Sequence, residues 1–151
     1  MNLGASPAKL NEIAVKVWQM ILGLGLRPIE HAPGDPLTRD FLMAKVEISG
    51  SWRGEILIGC SADLARSAAA VMFGKEPDEA TSEDIRDALG ELTNMVGGNF
   101  KTLLKGDCRL SVPKIVDEFS ESQADPDSRI HQWFHCKSGL VLMQLSRQPI
   151  A

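Results

Sequence analysis

Glu91 and Asn94 stand three residues apart, and Asp87 stands four before Glu91, in the stretch TSEDIRDALGELTNMVGGNFKTLLK from Thr81 to Lys105. The carboxamide of Asn94 can accept a hydrogen bond from water and donate one to a neighbouring oxygen, all without carrying charge. Glu91 adds a negative charge beside it. Three glycines, Gly90, Gly97 and Gly98, accompany the pair. Inside a helix each costs about 1 kcal/mol relative to alanine. A solvated face has no use for them and would carry Glu, Lys, Gln or Ala. Two readings remain open. Glycine removes bulk so that a partner surface approaches the two polar groups, or it serves packing within the protein or a break at Gly97–Gly98.

The element that must carry these groups is an amphipathic helix. At 100° per residue Ile85, Leu89, Leu92, Val96, Phe100 and Leu103 gather on one side. The opposite side reads Asp87, Glu91, Asn94, Gly98, Lys101 and Lys105, with Gly90 and Gly97 at its edges. Thr81 followed by Asp84 makes a capping-box start, and Glu83 and Asp84 suit the positive end of the helix dipole. The spacing predicts a helix over 81–105.

Asp87-x-x-x-Glu91-x-x-Asn94, a glycine-rich turn, Lys101 and a strand-like LSVP ending at Pro113 together resemble the signature of the CheC/CheX/FliY phosphatases. E-x-x-N alone has little value as a pattern; the block from Ile85 through Pro113 is much more specific. The gap between Asn94 and Pro113 is shorter than the family pattern. One motif is present, as in CheX-type members, whereas CheC-type members usually carry two. The resemblance implies removal of phosphate from the phospho-aspartate of a CheY-like response regulator. It implies catalytic roles for Glu91 and Asn94, beside a partner-binding face of Asp87, Gly90, Gly97, Gly98 and Lys101. Asp87 could pair with Lys or Arg of a partner, or simply with Arg86 or a nearby Lys, and reads as support rather than chemistry.

Phosphoryl transfer to water needs positioning and charge compensation more than covalent help. The regulator already supplies a lysine and Mg2+, so no cofactor is expected in this chain. What is missing is an oriented water. The neutral amide of Asn94 can hold one where a carboxylate would repel the phosphoryl group. Glu91 is implied to engage the regulator's lysine and so to set the height and rotation of the helix. A homodimer is implied by the same resemblance. The alternative is a non-catalytic module of this fold that binds a receiver domain or a flagellar-switch component.

Composition narrows the field. A chain of 151 residues, 44% hydrophobic, suits one domain spanning 1–151. A net charge of -4 gives no footprint for nucleic acid. The apolar stretch Val17 to Leu26 is interrupted by Gln19 and two glycines and is too short to span a membrane. Cys60, Cys108 and Cys136 are odd in number and widely spaced, which points to a reducing cytoplasm. His131 and His135 beside Cys136 invite a metal reading. On a strand, however, residues four apart are about 13 Å apart, too far for one ion without other ligands. Cys60 and Cys108 lack a neighbouring activator and read as buried apolar groups, and Trp18, Trp52 and Trp133 read as core. The acidic run from Gly74 to Asp84 reads as a solvated loop and helix start. No nucleotide-binding or nucleophile-elbow motif occurs.

The rest of the chain supplies a scaffold. Pro7 to Leu22 has helical spacing, with Gly23 as its stop. Leu24 to His31 fits a short strand before the turn-rich HAPGDP. Leu42 to Cys60 reads as two strands around Ser49-Gly50-Ser51, and Ser61 caps a small-residue helix through Phe73. Arg109 to Val116 reads as one strand, followed by a polar turn through Pro126. Ile130 to Ser146 reads as a hairpin turning at Lys137-Ser138-Gly139. The predicted class is α+β, a mainly antiparallel sheet covered by helices.

Overall fold

Each helix begins and ends where side chains or backbone satisfy its free end groups. The computed structural model describes residues 6–30, 41–116, 129–137 and 139–148. In α1, Pro7–Leu22, the Ser6 hydroxyl accepts from the Lys9 N–H, and Gly23 closes the helix at φ 67°. In α2, Ala62–Phe73, Ser61 accepts from Leu64, and Gly74 ends the helix at φ 65°. Such left-handed closing residues favour glycine. The expected turns at HAPGDP and through Pro126, and Ser138 of the last hairpin turn, lie outside the described residues.

The strands are β1 Arg27–Ile29, β2 Phe41–Gly50, β3 Gly54–Ser61, β4 Cys108–Leu110, β5 Lys114–Val116, β6 Arg129–Cys136 and β7 Gly139–Arg147. They form one antiparallel sheet in the order β1-β6-β7-β3-β2, with β4 and β5 both on the outer edge of β2. The α+β class is as the sequence predicts. Alternate residues such as Val46, Ile56, Ile58, Phe134, Val141, Met143 and Leu145 face the helices and are buried with them. The far face holds a smaller apolar cluster of Met43, Leu57, Trp133 and Leu142. Beside it Lys45 lies 3.7 Å from Glu55 across the β2–β3 pair.

The helix α3, Ser82–Lys101, packs on β2 and β3, reaches β4 and β5, and is flanked by α1 and α2. Ile85, Leu89, Leu92, Val96 and Phe100 are buried beneath it, as their spacing requires. Trp52 stands edge-on to Phe100 with ring centroids 5.4 Å apart. The helix stops at Lys101, short of the predicted Lys105. The Thr102 hydroxyl takes the Asn99 carbonyl, and the turn tightens as Leu103 and Leu104 donate to Phe100 and Lys101. Ser51 then holds the carbonyls of Lys105 and Asp107, and Gly106 adopts φ 86°.

The single strand predicted over Arg109 to Val116 is two strands. Leu110 pairs with Ile48 and Lys114 with Lys45, so Val46 and Glu47 of β2 face three residues, Ser111, Val112 and Pro113. One extra residue makes a bulge. Pro113 has no N–H to give the ladder. Ser111 takes over the pairing instead: its N–H donates to the Glu47 carbonyl and its hydroxyl accepts from the Glu47 N–H, each at 2.8 Å.

Candidate functional site

The first turn of α3 fixes where its outer face points. Thr81 Oγ1 accepts from the Asp84 N–H and Asp84 Oδ2 accepts from the Thr81 N–H, both at 3.0 Å. Lys75 Nζ adds an ion pair 2.7 Å from the same oxygen. These bonds hold the Asp84 carboxyl below its usual range, the lysine contributing most. The capping box expected from the sequence is present.

From this start the helix carries Asp87 and Glu91 exposed, and Asn94, Gly98 and Lys101 half-buried, on the side away from the sheet. Among the described residues neither the Glu91 carboxylate nor the Asn94 carboxamide has a hydrogen-bond or ion-pair partner. Both are therefore free to bind something outside the chain. The two alternatives for glycine divide by position. A Cβ on Gly97 would lie 2.8 Å from Val46 Cγ2 and 3.1 Å from Leu110 Cδ1. Gly97 thus faces the sheet and lets the helix approach it, which moves it inward from the edge of the outer face where the sequence reading put it. Gly90 is also buried, and its Cβ would meet Pro113 Cβ at 3.4 Å. At Gly98 a Cβ would meet nothing within 4 Å. No helix break occurs at Gly97–Gly98.

A cleft of about 300 Å³ runs along this face, lined by Arg86, Asp87, Gly90, Glu91, Val112, Pro113 and Ile115. Its far wall is the bulge between β4 and β5. The short span from Asn94 still brings Pro113 back against the helix. Val112 and Ile115 were not singled out in the sequence, because their neighbourhood depends on the bulge; Arg86, weighed there as an ion-pair partner of Asp87, lines the cleft beside it. Pro113 in a strand-like run was the available signal. A cleft of similar size, about 260 Å³, lies at Glu47, Arg53, Arg109 and Gln148 and holds none of the motif residues.

The other candidates resolve differently. Cys60, Cys108 and Cys136 are buried free thiols. Burial, with Cys136 adding to it, pushes the Cys60 thiol up to about 12, far from nucleophilic use. His131 Nδ1 lies 3.2 Å from Gln144 Oε1. Burial lowers the His131 pKa, the Gln144 bond opposes that, and Arg129 adds to the lowering. Among the described residues no group of three or more His, Cys, Asp or Glu is placed to hold a metal ion. Trp18, Trp52 and Trp133 are buried, and no described helix is long and apolar enough to cross a membrane.

Comparison with known proteins bears on this face. Comparison with curated proteins gives no significant match. Among solved structures, the chemotaxis protein CheX from Vibrio vulnificus superposes with a TM-score of 0.79 at 22% identity, covering 98% of this chain and 100% of that one. CheX in a complex with CheY, BeF3 and Mg2+ from Borrelia burgdorferi gives 0.69 at 17% identity, covering 94% and 97%. FliY from Thermotoga maritima gives 0.58 at 18%, covering 93% and 89%. At these identities the likeness is one of fold. The family model described as chemotaxis phosphatase CheX matches residues 42–135, most of the chain and all of the candidate site. The chain belongs to the CheX family of chemotaxis phosphatases.

Proposed function

We propose that this chain accelerates hydrolysis of the aspartyl phosphate of a CheY-like receiver domain, with Glu91 and Asn94 of α3 entering the receiver's reaction centre. One observation carries the reading: both side chains project, unpartnered, from one face of a helix whose Gly98 leaves space for a close approach. The relative from Borrelia burgdorferi, crystallised with CheY, BeF3 and Mg2+, supports the class of partner and a metal ion in the complex. In this reading the Glu91 carboxylate pairs with the receiver's lysine and sets the helix height and rotation. The Asn94 carbonyl oxygen accepts from a water and holds it in line with the phosphorus. The water oxygen forms the new P–O bond as the bond to the aspartyl oxygen breaks, releasing phosphate and a free aspartate carboxylate. Lysine and Mg2+ of the receiver balance the charge. Asp87 and Lys101 border the docking surface. The chain is proposed to act in the cytoplasm as a single-domain homodimer, which sedimentation of the purified protein tests.

The deciding experiment follows phosphate loss from the host's phosphorylated receiver domains with and without the protein. Asn94→Ala is expected to lower the acceleration by a factor on the order of 100 or more while leaving the fold unchanged, because the nucleophile loses its orientation. An Asn94→Ala protein as active as wild type would overturn the water-positioning role. Binding without any acceleration by wild type would instead identify a scaffold.

A further inference from the structure

The salt bridge at Glu91 sets the height of the docked helix and its rotation about its own axis, but one point of contact leaves the whole helix free to pivot, a rotation about that point. Placing an amide in line with a reacting phosphorus tolerates little such rotation, since misplacement by about 1 Å costs on the order of 100-fold in rate. A second rigid contact point is required. Across the cleft from Glu91 stands Val112, 78% exposed, the most exposed of the large apolar side chains described. An isolated exposed valine is ordinarily of no consequence. This one differs in how it is held.

Val112 is the outermost of the three residues of the bulge, and both ends of the bulge are tied to β2 through Leu110 and Lys114. Ser111 on one side is bonded twice to Glu47, and its hydroxyl also donates to the Val112 carbonyl at 3.1 Å. Pro113 on the other side has a fixed φ and rests against α3 at Gly90. The extra residue thus presents an apolar knob on a braced support, in fixed register with the helix that carries Glu91 and Asn94. Bulges commonly re-aim a side chain beside an active site. Resting on the function proposed above, we propose that Val112 is a positioning residue: it seats against an apolar side chain of the same phosphorylated receiver, fixing the rotation of α3 about the Glu91 contact and contributing to the choice of receiver.

The test uses the full chain and the host receiver that wild type dephosphorylates fastest, activated with beryllofluoride for binding and phosphorylated for turnover. Val112→Ala is expected to weaken binding and raise KM about tenfold, the effect of exposing two methyl groups' worth of contact. Its kcat at saturating receiver should fall as well, by about tenfold or more, because rotation of α3 about the Glu91 contact misplaces the Asn94 amide. Val112→Thr, which keeps the branched shape, should fall between the two. Met20→Ala, a change at a 69% exposed residue of α1 away from the cleft, should leave both constants unchanged. Equal melting temperatures establish that the variants fold. A wild-type Kd for Val112→Ala overturns the proposal, as does a kcat equal to that of wild type at saturating receiver. Neither result touches Asn94: an active Asn94→Ala protein sinks the catalytic reading while leaving the Val112 binding loss standing. A wild-type chain that binds no receiver sinks both.

Discussion

At the scale of single residues, the proposed site rests on two polar groups that the fold leaves unsatisfied. Glu91 is exposed, so in the proposed complex its charge acts on the approach of the receiver as well as on the docked helix, and the former is screened by salt. Asn94, half-buried one turn on, is neutral and has only geometry to contribute. The two therefore predict different kinetic signatures. Glu91→Gln should weaken association with the receiver several-fold and flatten the dependence of association on ionic strength, and should also slow the bound complex, because the helix loses the contact that sets its height. Asn94→Ala should leave association and its salt dependence intact. Stopped-flow binding across a salt series distinguishes them. An unchanged salt slope in Glu91→Gln would remove the proposed pairing with a lysine.

At the scale of the element, adjacent glycines in α3 have opposite surroundings, and alanine at each separates packing from the proposed docking. Gly97→Ala forces Val46 and Leu110 to move, an overpacking that costs about 1–3 kcal/mol against at most ~1 kcal/mol gained in helix propensity. Gly98→Ala fills open space and should stabilise the protein by about 0.5–1 kcal/mol. Yet if a partner must come close there, the same methyl should weaken binding. Urea unfolding and receiver binding on the two variants check this; a Gly98→Ala protein that is both more stable and a full binder would refute the close approach. The pair also marks what the sequence could show. Periodicity identified the helix and its buried side, and Thr81 with Asp84 identified its start, because those signals are local. Which glycine faced Val46 could not be read, since that depends on the angle at which the helix crosses β2. The bulge at Ser111–Pro113 was likewise hidden: its register is set by pairing with β2, more than sixty residues earlier in the chain.

At the scale of the whole molecule, α3 is both the bearer of the site and the element between the sheet and the other two helices. Its outer face can be held steady only while the core beneath it stays packed. That core contains Cys60 on β3, between β7 and β2, and its thiol shows how the interior is coupled to solution conditions. Burial raises its pKa from an ordinary 9.0 to about 12. The folded protein therefore keeps the proton where the unfolded chain has released it. The contribution to stability is complete below about pH 9 and is lost as pH rises toward about 12, because ionisation then favours the unfolded state. Across that window one such group contributes a slope of about 1.4 kcal/mol per pH unit. The sequence contains no tyrosine, so no phenol titrates over the same range. Denaturant unfolding at a series of pH values above 9 should show this decline as a single transition if the chain is one domain. Cys60→Ala should lose some stability at neutral pH to the space it leaves, but should decline less steeply in alkali. A wild-type protein and a Cys60→Ala protein with parallel alkaline profiles would mean that the thiol reaches solvent in the folded state. The sheet beneath α3 would then be open to solvent in alkali, and the proposed docking of Glu91 and Asn94 would lack a steady platform there.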